Sequence, residues 1–181
     1  MLLAGGKSTR MGRDKASVVV DGQPLWQRQL ATLRATKPSA IFLSGKIDGP
    51  YVGAGVPILR DAAPDLGPLA GIAAALHAAP QQFVLVLAID LPAMTTAFLR
   101  ELLERAFAAQ TGVVTKADGW FEPLAAVYPR ACLPLAEQCL QSADRSLQKF
   151  VRLAAEQGFI SIRELSENER PLFRNMNRPE D

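Results

Sequence analysis

The sequence predicts an α/β fold of three layers, in which helices cover both faces of a mostly parallel sheet. Short apolar runs that end in turn residues alternate with helical patterns from one end of the chain to the other, and this alternation is typical of parallel sheets. The strongest strand signal, over residues 82–89, contains the uninterrupted apolar run FVLVLAI. A strand of this kind is expected to be buried on both faces.

The first third of the chain already alternates strand and helix. It opens on a three-residue apolar strand, 1–3, which leads into a glycine-rich segment. A helix over 24–36 has a proline in its first turn and places leucines and Gln29 at helical spacing on one face. Short apolar runs then predict strands over 40–44 and 56–59.

The middle of the chain contains the most buried predicted elements. Residues 68–79 are predicted to form a helix of small side chains, which can pack closely on a sheet. We expect the strand over 82–89 to lie at the centre of that sheet. An amphipathic helix over 95–109 follows, with Thr95 or Thr96 as its candidate N-cap.

The last third combines a hairpin with two helices. Residues 112–116 and 124–128 resemble paired strands on either side of an Ala-Asp-Gly turn. The two helices are predicted over 130–141 and 146–157, the second of which ends at a glycine. Two late strands are predicted from short apolar runs: 159–162 and 172–175.

Length and chain ends suggest a single domain. The 181 residues are enough for one domain with a proper core, which we expect to span 1–181. We expect this domain to be clipped at both ends. The first strand has only three residues, and residues 177–181 resemble a helix start, with proline followed by two acids, that has no helix after it.

Composition excludes several classes of protein. The net charge of +2 gives no general basic field for nucleic acid, and the apolar stretches are too short for a membrane span. No signal peptide is recognisable. Cys132 and Cys139 are too far apart on a regular helix for a disulfide, and with His77 as the single histidine there is no zinc-type cluster. These features predict a cytoplasmic protein without nucleic-acid or membrane partners.

The segment from Gly5 to Lys15, GGKSTRMGRDK, predicts a phosphate site. Gly5 and Gly6 let backbone amides approach a ligand closely. Lys15, Arg10 and two further cations then follow within nine residues, and their mutual repulsion is relieved by an anion such as a nucleotide triphosphate. A solvated surface loop is the alternative interpretation. The segment matches neither the P-loop nor the G-x-G-x-x-G pattern.

Three other candidates follow predicted strands, at the edge where open α/β sheets bind ligands. Asp90 closes the most apolar strand and can hold a divalent cation such as Mg²⁺ through oxygen, although a turn or N-cap aspartate ahead of Pro92 has the same appearance. Asp61 is a candidate ligand contact or an Asx-turn. Gly67 would let a base or ribose approach the backbone, or simply marks the entry to a helix.

Five segments together resemble the molybdenum cofactor guanylyltransferases, within the wider nucleotidyltransferases that activate sugars and alcohols. They occur in the family's order and extend over the whole chain: LAGGKSTRMGRDKA, RDAAPDLGPLAGI, LAIDLPAM, FEPLAAVYPR and NMNRPED. LAGG together with GPLAG is similar to the guanylyl branch, whereas the cytidylyl branch tends to have LAAG without GPLAG. The resemblance implies a Rossmann-like nucleotidyltransferase fold.

The resemblance also implies a reaction and its participants. GMP is transferred from GTP to the terminal phosphate of molybdopterin with release of pyrophosphate, in the presence of Mg²⁺, for which Mn²⁺ is expected to substitute. The implied metal ligand is Asp90, and the implied catalytic residues are Lys15, Arg10 and Asp90. A chaperone for molybdoenzymes, or another protein that delivers the cofactor, is an expected partner.

Further residues are implied to bind the substrates. The implied nucleotide-binding residues are Leu3, Ala4, Gly5, Gly6, Lys15, Ser44, Asp61, Gly67 and Asp90. Asp61 would reach guanine or ribose, and Asn175 and Asn177 would face the acceptor. Three alternatives remain open: cytidylyl transfer to molybdopterin, nucleotidyl transfer to a sugar phosphate, and nucleotide binding without catalysis.

Overall fold

The computed structural model describes residues 1–5, 15–59 and 66–176. The strands within these residues are β1 Leu2–Leu3, β2 Val19–Val20, β3 Gln23–Pro24, β4 Leu43–Ser44, β5 Ile58–Leu59, β6 Phe83–Ala88, β7 Gly112–Ala117, β8 Trp120–Pro129 and β9 Ile160–Glu164. The α-helices are α1 Leu25–Ala35, α2 Pro68–Ala78, α3 Thr96–Ala109, α4 Leu133–Gln141 and α5 Leu147–Glu156. Short 3₁₀ helices cover Lys15–Ser17, Arg130–Cys132 and Arg170–Phe173.

The main sheet has seven strands in the order β5-β4-β1-β6-β8-β7-β9. The pairs from β5 to β6 are parallel, as is the pair of β7 with β9. Within this seven-stranded sheet, β8 is the strand that runs antiparallel to both of its neighbours. The prediction of a mostly parallel sheet with a central strand over 82–89 is therefore confirmed.

Residues that alternate along the strands contact different helices, which confirms the three layers. Leu2 and Leu87 belong to a core with leucines of α1 and α3. Leu3 and Val86 point to the other face, into a core with residues of α2, α4 and α5. Because successive side chains of a strand point to opposite faces, both faces of the sheet are covered by helices.

Local signals explain where several helices begin and end. The hydroxyl of Thr95 accepts a hydrogen bond from the backbone N–H of Phe98 at 3.2 Å, so Thr95 is the N-cap of α3. Ser146 caps α5 in the same way through the N–H of Lys149. Gly158, with φ of +75°, follows the end of α5 as predicted.

The late strand predicted over 172–175 is wrong. The chain instead forms the 3₁₀ helix Arg170–Phe173, because Pro171 near its start has a φ that suits a helical turn and no N–H for a strand ladder. Phe173 is buried by packing its ring edge-to-face on Phe98, with centroids 5.4 Å apart.

The small hairpin of β2 and β3 was not predicted. Its turn residues Asp21 and Gly22 both have positive φ, as a two-residue hairpin turn requires. The larger hairpin has the predicted turn, although β8 begins at Trp120 rather than at 124.

Other expectations concern single residues and the membrane. Cys132 and Cys139 are buried and unpaired, and burial raises the pKa of the Cys132 thiol to about 12. His77 is exposed on α2.

No helix among the described residues has the length and apolarity needed to cross a membrane. The extent of the single domain stays a prediction.

Candidate active site

The parallel strands bring three predicted segments to one edge of the sheet. In the ladder, Leu3 of β1 pairs with Ser44 of β4 on one side and with Ala88 of β6 on the other. The chain therefore leaves β1 at Gly5 and leaves β6 at Asp90 along the same edge. The rule that ligands bind beyond the carboxyl ends of such strands thus points to this edge.

Lys15 and Asp90 are in direct contact there. The Nζ atom of Lys15 donates a hydrogen bond to Oδ2 of Asp90 at 3.1 Å, although 75 positions separate the two residues. Both side chains are 23% exposed, so most of the surface of the pair is shielded from water. The sequence predicted both residues for the site but not their contact.

Backbone hydrogen bonds fix the turn that carries Asp90. The N–H of Ile89 donates to the carbonyl of Leu3 at 3.0 Å, and the N–H of Met94 donates to that of Leu91 at 3.0 Å. The carbonyl of Asp90 itself accepts from the N–H of Met176 at 2.9 Å. The segment that ends in Asn175 and Met176 is thereby held beside the turn.

The first turn of α2 lies close against β1 and β4. A Cβ added to Gly71 would lie 2.7 Å from Cδ2 of Leu3 and 2.8 Å from Oγ of Ser44, so a side chain at this position would force one or both of these neighbours to move. Ser44 itself is buried. Gly67 precedes the helix with φ of +73°, which explains a glycine there by backbone conformation alone.

Gly5 is different, because packing among the described residues does not require it. A Cβ at Gly5 would meet Gly45 and Ser44 at 3.6 Å or more, which is ordinary contact. Gly5 is exposed, whereas Leu3 and Ala4 are buried. Four predicted site residues lie outside the described residues: Gly6, Arg10, Asp61 and Asn177.

Glu122 reaches the same edge from the other side of Asp90. Since β8 is antiparallel to β6, with Leu87 opposite Ala125, the residues near the start of β8 lie close to the carboxyl end of β6. Glu122 is half-buried, and burial raises the pKa of its carboxyl group. In the strand order, β8 and Ser44 of β4 lie on opposite sides of β6.

The described residues contain no group of three or more His, Cys, Asp or Glu side chains that could hold a metal ion by themselves. What they offer at this edge is the carboxylate of Asp90. Mg²⁺ is commonly bound by one or two carboxylates, with substrate phosphates and water as its other ligands. The carboxylate of Asp90 therefore suits a metal ion that arrives together with a nucleotide, rather than one that protein side chains hold permanently.

Comparisons with known proteins identify the family of the chain. The family model for the MobA-like NTP transferase domain matches residues 1–159. A probable molybdenum cofactor guanylyltransferase of Opitutus terrae is 39% identical over 99% of this chain and 90% of its own length. A molybdenum cofactor guanylyltransferase of Pseudomonas putida KT2440 is 34% identical over 99% of this chain and 93% of its own length.

A solved structure supports the fold. The chain is similar to molybdopterin-guanine dinucleotide biosynthesis protein A from Archaeoglobus fulgidus, with a TM-score of 0.76 and 22% sequence identity. The match covers 99% of this chain and 92% of the other. At this level of identity the likeness concerns the fold alone.

Proposed function

Because the chain belongs to the MobA-like NTP transferase domain family, we propose that it transfers GMP from GTP to the terminal phosphate of molybdopterin. The products are molybdopterin guanine dinucleotide and pyrophosphate. The observation that supports this reaction most directly is the contact of Lys15 with Asp90, a cation and a metal-type carboxylate at the ligand-binding edge of the sheet.

The chain's own residues would act by positioning and by neutralising charge. An oxygen of the acceptor phosphate attacks the α-phosphorus of GTP, and the bond to the leaving pyrophosphate breaks in line with it. Lys15, assisted by Arg10, would neutralise the charge that builds on the phosphates. No covalent intermediate with the enzyme is required.

We assign the nucleotide to the β1 and β4 side of Asp90. The buried N–H of Ala4 donates to the carbonyl of Ser44 at 2.8 Å within the sheet. The amides of Gly5 and Gly6 would therefore hold the phosphates, which agrees with the glycine at position 5 that packing does not explain. Ser44 and Gly67 would lie near the base or ribose, and Asp61 would contact guanine or ribose.

The acceptor would approach from the opposite side of Asp90, because an in-line displacement needs the attacking and leaving oxygens on opposite sides of the phosphorus. Glu122, near the start of β8, lies in that direction. Asn175 would face the acceptor from beside the Asp90 turn, since the N–H of the next residue, Met176, donates to the Asp90 carbonyl. Asn177 is expected to contribute to the same acceptor side.

Asp90 would also hold the divalent cation, and the reaction is proposed to depend on Mg²⁺ or Mn²⁺. When bound, such an ion neutralises charge on the phosphate oxygens and orients them. Lys15 would then leave the carboxylate and move to the phosphates, a short movement for a long and partly exposed side chain.

The proposed setting is the cytoplasm, with which the two unpaired cysteines agree. A molybdoenzyme chaperone or cofactor-delivery protein is the proposed recipient of the product.

A transfer assay tests the proposed function. Purified protein is incubated with molybdopterin, Mg²⁺ and either GTP or CTP, and the dinucleotide and pyrophosphate are quantified. We expect equal amounts of both products from GTP. Transfer from CTP should be about 10-fold slower or worse, because groups that pair with guanine are left unpaired by cytosine. Faster transfer from CTP would overturn the guanylyl assignment, and pyrophosphate from neither nucleotide would overturn the transferase.

A further inference from the structure

Two polar side chains of α1 hold the turn that follows Asp90. The amide nitrogen of Gln29 donates a hydrogen bond to the carbonyl of Leu91. The Nε atom of Arg28 donates to the carbonyl of Pro92 at 3.0 Å. The two carbonyls directly after the proposed metal ligand are thus both fixed by the same turn of one helix.

Gln29 is an unusual residue for its place. It lies on the apolar face of α1 and is completely buried, and its Oε1 atom has no hydrogen-bond partner among the described residues. A buried amide oxygen without a partner costs stability. The Leu91 carbonyl already accepts from the N–H of Met94, so satisfying that carbonyl does not require Gln29. Stability alone therefore does not explain a glutamine here.

The same helix is tied to Lys15. The carbonyl of Lys15 accepts from the N–H of Val18 at 3.1 Å, and the carbonyl of Val18 accepts from the N–H of Leu25 at 2.8 Å. Leu25 is the first residue of α1. Arg28 also pairs with Asp21 of the β2–β3 hairpin at 2.9 Å. A continuous set of hydrogen bonds therefore runs from the backbone of Lys15 through α1 to the turn of Asp90.

We propose that Gln29, with Arg28, positions Asp90 relative to Lys15 and thereby sets the space for the cation and the phosphates. Neither side chain needs to touch a substrate, so both are positioning residues. The proposal rests on the proposed function, because it assumes that Asp90 holds the cation.

The test compares two variants with two controls on the same helix. Gln29→Met removes the amide at nearly constant volume, and Gln27→Met is its control at an exposed glutamine. Arg28→Met removes the bond to Pro92 at a partly exposed site. Its control is Arg34→Met, at an exposed arginine that donates to the carbonyl of Ala54. Arg28→Met keeps the proposal testable if Gln29→Met fails to fold.

We expect Gln29→Met and Arg28→Met to lower kcat by about 10- to 100-fold, as for loss of an outer partner of a metal ligand. The affinity of the protein–GTP complex for Mn²⁺, measured by electron paramagnetic resonance, should fall over the same range. The affinity for GTP in the absence of metal should stay within about twofold, because these contacts do not reach the nucleotide. The two controls, Gln27→Met and Arg34→Met, should have the kcat and the Mn²⁺ affinity of wild type when measured well below the melting temperature.

Asp90→Asn separates failure of this proposal from failure of the proposed function. If Asp90→Asn loses Mn²⁺ affinity and activity while both positioning variants match their controls, the positioning role is overturned and the function stands. If Asp90→Asn retains both properties, the metal assignment itself is overturned, and the positioning role with it.

Discussion

Replacing Lys15 by methionine should abolish most catalysis while leaving the fold nearly as stable. The variant keeps the apolar stem and removes the ammonium, which lies 3.1 Å from Asp90 with both side chains about a quarter exposed. At an effective dielectric constant of about 20, the gross attraction at this distance is roughly 5 kcal/mol, but hydration of both ions offsets most of it. For a partly exposed pair we expect a net stability loss of about 1 kcal/mol or less.

The catalytic loss should be much larger, because the bound substrates exclude water and the ammonium then faces phosphates that gain charge. Loss of one such stabilising group typically lowers kcat by about 10²- to 10³-fold, or roughly 3–4 kcal/mol. Steady-state guanylyl transfer and urea unfolding measure the two effects. Lys37→Asn is the control, since Lys37 lies after α1 with a φ of +56° that asparagine tolerates. A Lys15→Met variant with near-normal kcat would show that the Lys15 ammonium does not stabilise the reacting phosphates.

Two further predictions concern stability. Hydrogen bonds from Arg163 lower the pKa of Glu169 from 4.5 to about 2, so its stabilising contribution is present above pH 4.5 and is lost as the pH falls towards 2. The free energy of unfolding, measured with urea, should fall less between pH 6 and pH 3 in Glu169→Gln than in wild type. Equal decreases in the two proteins would contradict this prediction. Gly67→Ala should lower the free energy of unfolding by roughly 1–3 kcal/mol, because alanine is strained at a φ of +73°. An unchanged midpoint of urea unfolding would contradict this prediction.

The fold was predictable from the sequence because long periodic segments dominate it. The start of α3 follows from Thr95 and the end of α5 from Gly158, which are local signals. The β2–β3 hairpin has strands of only two residues, too short to show an alternating pattern. The apolar residues Leu172 and Phe173 resembled part of a strand. Phe173 is buried by packing on α3, however, and not by pairing with another strand in the sheet.

The site was predictable in part. The rule about carboxyl ends placed Asp90 and the glycine-rich segment at one edge, but no local pattern reveals a contact between residues as distant in sequence as Lys15 and Asp90. Gln29 carried a signal that sequence reasoning did not use, a polar residue on the apolar face of a helix. The roles of all the site residues stay predictions, and Gly6, Arg10, Asp61 and Asn177 also lie outside the described residues.

Asp90 is proposed to anchor the cation for guanylyl transfer. The decisive measurement is the rate of transfer against Mg²⁺ concentration in wild type and in Asp90→Asn. Asparagine keeps the shape and can cap a turn, but it lacks the charge that a hard cation prefers. We expect Asp90→Asn to be nearly inactive at every practical Mg²⁺ concentration, with GTP binding in the absence of metal little changed. An Asp90→Asn variant with wild-type activity and Mg²⁺ dependence would mean that Asp90 only shapes the turn, and would contradict the claim.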